Sequence, residues 1–191
     1  MKGLRIGFAM CGSFCTMAEA LAQLKILKDN GANILPIMSE IVYTSDTRFT
    51  KCKELIEEVT EITGNKIIHS VVEAEPIGPK KLLDALVVCP CTGNTLSKIA
   101  NGITDTSVTM AVKAHLRNNL PVILCIATND ALSSSAKNIG LLLNQKNVYF
   151  VPFSQDDSKN KPTSLISEFN RLKSAVEFAL KGEQLQPLLA K

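Results

Sequence analysis

Apolar residues along the chain fall into short unbroken runs, separated by stretches in which they recur every three or four positions. The first run, residues 4–10, contains Gly7 and stops at Cys11-Gly12-Ser13. Over residues 14–30 the apolar positions Met17, Leu21, Leu24 and Leu27 keep helical spacing, and Gly31 follows as a C-terminal stop. This predicts a strand, a tight turn and a helix. A second strand is expected over 34–38. A helix follows over 51–64, with Leu55, Ile56, Val59 and Ile62 on one face, and then a short third strand at Ile67 and Ile68. Beyond Pro76, Gly78 and Pro79, residues 85–89 are continuously apolar, as in a central parallel strand. Helical patterns at 96–101 and 108–118 lead to a fifth strand at 122–126, a helix at 133–145 and a sixth strand at 148–151. A polar loop, 154–162, precedes a last helix at 165–180.

Strands alternating with helices pair in parallel through right-handed crossovers. The expectation is therefore an α/β, three-layer, Rossmann-like fold with a six-stranded parallel sheet. It forms one domain over residues 1–191, with a C-terminal helix and tail from about 165. In such sheets ligands bind beyond the carboxyl ends of the strands, where strand order reverses.

Composition narrows the partners. The chain is 46% hydrophobic and 20% charged, with a formal net charge of +3. Its charges are interleaved rather than gathered into a stripe, so neither a nucleic acid nor a membrane surface is expected as a partner. The first apolar run is too short for a signal peptide or a membrane span. Six cysteines without a signal peptide point to reduced thiols and a cytoplasmic setting. Cys11 with Cys15, and Cys89 with Cys91, lack the C-x-x-C spacing of structural zinc; they read as small buried residues, and no metal is expected.

Candidate chemistry lies just after the strands. Gly12 permits close backbone approach, and Ser13 at a helix start offers a hydroxyl and N–H groups to an anion, although Ser is also a common cap. The turn lacks G-x-G-x-x-G, which disfavours a dinucleotide site. Ser39 follows the second strand as a candidate phosphate contact, ahead of the hydroxyl-rich segment 43–49. After the fourth strand, Pro90-Cys91-Thr92-Gly93-Asn94-Thr95 brings several polar groups to one strand end and runs on through Lys98-Ile99, Gly102-Ile103 and Asp105.

That last string resembles the P-x-T/S-x-N-T-x-x-K-I-x-x-G-I-x-D signature of a flavoprotein family that includes the homo-oligomeric flavin-containing cysteine decarboxylases. Gly12-Ser13-Phe14 is similar to the family's first flavin-phosphate loop, Ser39 to the Ser or Thr after its second strand, and Ala127-Thr128-Asn129 stands at its Pro-Ala-Met-Asn motif. The resemblance implies FMN, with Gly12, Ser13, Phe14 and Ser39 on its phosphate side and Pro90, Cys91, Thr92, Asn94 and Thr95 on its ring side. Asn129 joins this set, and a homo-oligomer is implied. The decarboxylases' histidine falls near Glu75 or Pro76, where this chain has none, and Ile126 and Thr128 replace the Pro and Met of their motif. His69 lies earlier, at a strand end, and His115 inside a helix reads as a surface or packing residue; the catalytic residue stays unassigned.

The strings 73–80, 128–132, 146–147, 152–157 and 184–189 resemble one member of the family more closely, one component of a two-component oxidoreductase. This implies oxidation of a small dihydropyridine dicarboxylate, with a nicotinamide cofactor on a partner chain. Arg48 is the candidate carboxylate ligand, while Lys159 and Lys161 read as surface charges. A stand-alone FMN decarboxylase or flavin-modifying enzyme, and a non-catalytic partner protein, are the alternatives.

Overall fold

The unbroken apolar runs form the parallel centre of a sheet in a computed structural model that describes residues 1–190. Strands β1 (Arg5–Met10), β2 (Asn33–Met38), β3 (Ala85–Cys91), β4 (Val122–Thr128) and β5 (Val148–Phe150) pair in parallel in the order β2-β1-β3-β4-β5. Both faces of this sheet are covered. Ile6, Phe8, Met10, Val87 and Cys125 pack with the helices α1 (Met17–Asp29), α3 (Cys52–Thr63) and α8 (Leu172–Ala179). Cys11, Leu86, Val88, Leu124 and Ile126 face the opposite layer, made by α5 (Gly93–Ala100), α6 (Ser107–Leu116) and α7 (Ala136–Leu143). Burial on two sides explains why these strands read as continuous rather than alternating apolar runs. Each fully buried Val or Leu contributes about 1.5–3 kcal/mol of transfer free energy.

Short α2 (Glu40–Thr44) and α4 (Val71–Ala74) lie on the connections after β2 and before β3. Gly7 is demanded by packing, because a Cβ there would sit 2.6 Å from methyl groups of both Leu83 and Leu86. Gly64 closes α3 with φ +70°, the left-handed turn anticipated for it. Pro36 lies in β2, the edge strand, where a missing N–H is tolerated.

The Rossmann-like, three-layer expectation holds, and the details differ in two places. The sheet has seven strands among the described residues and is mostly, not wholly, parallel. Ile67 and Ile68 supply only a bridge from Ile68 to Ile37, as two apolar residues before a polar turn are too few for a strand. In exchange, β6 (Phe153–Ser154) and β7 (Leu165–Ser167) pair antiparallel, and β7 runs antiparallel to the end of β4 through Ala127↔Ile166. Leu165 to Ser167 therefore does not open the last helix. A 3-10 turn at Phe169–Arg171 precedes α8, which starts at Leu172. No helix among the described residues is long and apolar enough to cross a membrane.

Candidate functional site

The chain passes from β1 outward to β2 and then crosses to β3 on the other side of β1, so strand order reverses between β1 and β3. Ligand crevices form at such reversals. Here the Cys11 N–H donates to the Pro90 carbonyl at 3.3 Å and the Ser39 N–H to the Met10 carbonyl at 3.0 Å, tying three strand ends together. Two adjoining clefts, about 550 and 520 Å³, open above them and share Gly12, Phe14 and Thr92.

The larger cleft is lined mainly by hydroxyl and amide groups, Ser39, Thr44, Asn94, Thr95 and Thr106, with Ile41 and the acidic Glu40 beside them. Thr92 caps α5 by accepting the Thr95 N–H at 3.2 Å, and Thr106 with Thr109 forms a capping box on α6. Ser39 behaves differently. It stands at the N-cap of α2 but makes no capping bond; its Oγ is buried, with the residue 7% exposed, and has no hydrogen-bond partner among the described residues. An unpaired buried hydroxyl costs about 1–3 kcal/mol, which a bound acceptor or donor would recover. No cationic side chain lines this cleft among the described residues, and Glu40 adds a carboxylate to it, so an anion here would be held by hydroxyls and by the N–H groups that open α5, whose positive end Asp130 partly offsets.

The second cleft carries charges of both signs. Ser13, Cys15, Arg48, Asn129, Asp130, Asp156 and Lys161 line it. The Arg48 guanidinium lies 4.7 Å over the Phe49 ring, a cation–π contact that leaves its N–H groups free for a ligand. Asp130 accepts from the hydroxyls of Ser134 at 2.6 Å, Ser135 at 3.1 Å and Thr128. These donors, Ser134 and Thr128 foremost, hold its carboxyl below the usual range, so it is ionised at neutral pH. The Asp130 loop abuts the first residue of α5. A Cβ on Gly93 would lie 2.6 Å from both Asp130 Oδ1 and Thr128 Oγ1, so glycine is required for this approach. Asp156, also held low by the Ser164 hydroxyl and then by Lys161, pairs with Lys161 at 3.1 Å. Asn129 Oδ1 accepts from Ser164 at 3.4 Å, and its carbonyl from Thr163 at 2.6 Å.

Residues expected to act together are thus divided. Gly12, Phe14 and Thr92 border both clefts, Ser39, Asn94 and Thr95 lie in the larger, and Ser13, Arg48 and Asn129 in the second. Pro90 and Cys91 line neither. They are fully buried because β3 continues two residues past Cys89 through an irregularity in its pairing with β4, where a proline fits. Lys98 and Asp105 of the signature pair with each other at 2.9 Å, closing the connection from α5 to α6.

His69 lines neither cleft. Its ring stacks on Tyr43 at 3.9 Å, and its backbone N–H is the main cause of a Glu73 carboxyl pulled down to about 2. His115 is fully buried, with neither ring nitrogen partnered among the described residues, and burial lowers its pKa to about 4. Cys11, Cys89, Cys91 and Cys125 are buried, as small packing residues should be, and burial raises the Cys11 thiol to about 11. Cys15 differs, being exposed in the second cleft. No cluster of three or more His, Cys, Asp or Glu suited to a metal ion occurs among the described residues. Asp130, Asp156 and Lys161 were not singled out as a group by sequence reasoning; the signal available was the Ser-rich 133–135 segment after Asp130.

Comparison with known proteins gives the family and the fold. Residues 1–173 match the family model described as Flavoprotein. The chain is 44% identical over 189 residues to the dipicolinate synthase B subunit of Bacillus subtilis (strain 168), covering 99% of this chain and 94% of the relative. The crystal structure of the dipicolinate synthase B subunit from Bacillus halodurans superposes with a TM-score of 0.92 at 44% identity, over 100% of this chain and 97% of that one. SpaF, an FMN-dependent cysteine decarboxylase, shares the fold at TM-score 0.68 and 20% identity, over 94% of this chain and 96% of its own.

Proposed function

The chain belongs to the Flavoprotein family, and from that premise we propose that it holds FMN across the two clefts and serves as the B subunit of a dipicolinate synthase. The observation that carries this reading is the Ser39 hydroxyl, buried and unpartnered at the reversal point of the sheet, beside the start of α5. Ser39, Asn94 and Thr95 share one cleft and would together hold the phosphate end by hydrogen bonds, in place of the ring side that the resemblance implies for Asn94 and Thr95. Gly12 and Phe14 border both clefts and would flank the remainder.

Conversion of dihydrodipicolinate to dipicolinate removes two hydrogens and completes an aromatic ring. A bound flavin supplies a hydride acceptor for such chemistry. Arg48 would grip a substrate carboxylate with paired N–H donors, and its place over Phe49 keeps the guanidinium plane oriented. Asp130, ionised and satisfied by three hydroxyls, would keep a fixed negative charge near α5 and steer the carboxylates towards Arg48. The likeness to the B subunit of dipicolinate synthase supports a different companion chain, the other component of such a synthase; in this reading that chain would carry a nicotinamide cofactor and the product would serve spore formation. Ile41 and Phe49, apolar and half exposed at the cleft rims, favour a homo-oligomer in which a second copy covers them. Ile126 and Thr128, in place of the Pro and Met of the decarboxylase motif, speak against a stand-alone decarboxylase.

The test is reconstitution. The purified chain, FMN, the companion chain of the synthase and an oxidised nicotinamide cofactor as electron acceptor are mixed with dihydrodipicolinate, and dipicolinate is followed by its absorbance. Formation that needs both chains is expected. Formation by the companion alone at the same rate would sink the reading.

A further inference from the structure

Four charged side chains line the second cleft, and they are not equivalent. Asp130 is saturated by hydroxyl donors, and Arg48 makes no ion pair among the described residues. Lys161 is held by Asp156 at 3.1 Å.

The loop that carries this pair is braced without help from the Lys161 ammonium. Asp157 accepts the N–H groups of Lys159 at 3.2 Å and Asn160 at 2.9 Å, and Gln155 donates to the Pro162 carbonyl at 2.8 Å. The Lys161 N–H donates to the Asp157 carbonyl at 2.8 Å, and the Ser164 N–H to the Lys161 carbonyl at 3.0 Å. The backbone is therefore set, and Nζ, on a flexible four-carbon stem, can exchange one carboxylate for another without moving it.

We propose that Lys161 is a specificity-determining residue of the second cleft: it leaves Asp156 to bind the second carboxylate of a two-carboxylate substrate whose first is held by Arg48. The proposal deepens the dicarboxylate reading above and rests on it. Asp156 acts as an internal substitute for the substrate. When Lys161 turns away, Asp156, whose side chain is 24% exposed, is solvated by water, so its charge is not left bare. The two cations come from separate elements, Arg48 from the connection between α2 and α3 and Lys161 from the loop between β6 and β7. A ligand with one carboxylate can be satisfied by Arg48 alone, while one with two recruits both. Selectivity for dicarboxylates then arises from displacing an existing partner rather than from a bare cation that would accept any anion.

A surface ion pair with no part in binding makes the opposite prediction, since removing either partner would have the same small effect. The deciding experiment is a calorimetric titration of the purified full chain, its flavin content recorded, with dipicolinate and with picolinate, the one-carboxylate counterpart. Lys161→Met should weaken dipicolinate binding roughly tenfold and leave picolinate unchanged, and Lys161→Arg should restore most of the loss. Asp156→Asn should tighten dipicolinate binding, by about threefold, because it removes the competitor. Opposite signs for the two variants support the exchange. Equal effects of Lys161→Met and Asp156→Asn, or no effect of Lys161→Met on dipicolinate, overturn it and leave the dicarboxylate reading standing. A wild-type chain that carries flavin and binds no dipicolinate overturns that reading itself.

Discussion

Replacing Ser39 by alanine separates a binding hydroxyl from a packing one, because the two roles predict opposite changes. Ser39 is 7% exposed, its Oγ has no partner among the described residues, and it makes no capping bond that alanine would lose. In the flavin-free chain the hydroxyl is therefore a cost. Removing it should stabilise that state by about 1 kcal/mol, the low end for an unsatisfied buried polar group, which for a domain of this size raises Tm by about 2–4 °C. In the loaded chain the same hydroxyl would donate to the FMN phosphate. Losing a bond to a charged group costs about 1.5–3 kcal/mol, a roughly ten- to hundredfold increase in Kd. The assays are a thermal melt of the stripped protein and a titration that follows the quenching of free FMN fluorescence. A variant that melts higher without flavin and binds flavin more weakly fits the account. One that melts lower, with affinity unchanged, makes Ser39 an ordinary packing residue and refutes the reasoning.

Three further substitutions probe the rest of the site and the core. Asn94→Asp adds a second carboxylate to the cleft that Glu40 already lines, and should weaken FMN about tenfold by like-charge repulsion, read by the same fluorescence titration; equal affinity would remove Asn94 from the phosphate end. Arg48→Ala should raise the substrate concentration for half-maximal synthase rate about ten- to hundredfold, with the companion chain present and flavin content unchanged; a wild-type value would mean that the dicarboxylate is held elsewhere. His115 is buried with a pKa near 4 against 6.5 when exposed, so below 6.5 the unfolded chain takes up a proton that the folded chain resists. Stability is therefore full above pH 6.5 and falls as pH drops towards 4, by about 3 kcal/mol in total. His115→Leu should flatten that slope in denaturant melts at pH 7 and 4.5, and an unchanged slope would place the acid sensitivity in another group.

The parallel centre of the sheet was legible because burial on both faces leaves a simple trace: Val87 and Val88, or Ile123 and Leu124, need no alternation. The small antiparallel pair was not. Leu165, Ile166, Phe169 and Leu172 carry helical spacing and strand chemistry at once, and the pairing of Ile166 with Ala127 across 39 positions decides between them. The places of Ser39, Asn94 and Thr95 in one cleft follow from their positions, Ser39 at the N-cap of α2 after β2 and Asn94 and Thr95 opening α5 after β3. Pro90 and Cys91 belong to the same string, but an irregular strand end buries them, and no local pattern announces that. The charged cleft was the least legible part. Asp130 draws its donors from Thr128, Ser134 and Ser135, and Lys161 reaches the cleft only because its loop folds back over the end of β4.

The central claim, that this chain carries a flavin across the two clefts, is tested most directly by the visible absorbance of the purified protein after incubation with FMN and removal of the excess. A flavin spectrum is expected and, on denaturation, the release of about one FMN per chain. A colourless protein that retains no FMN would contradict it and leave the clefts without their proposed cofactor.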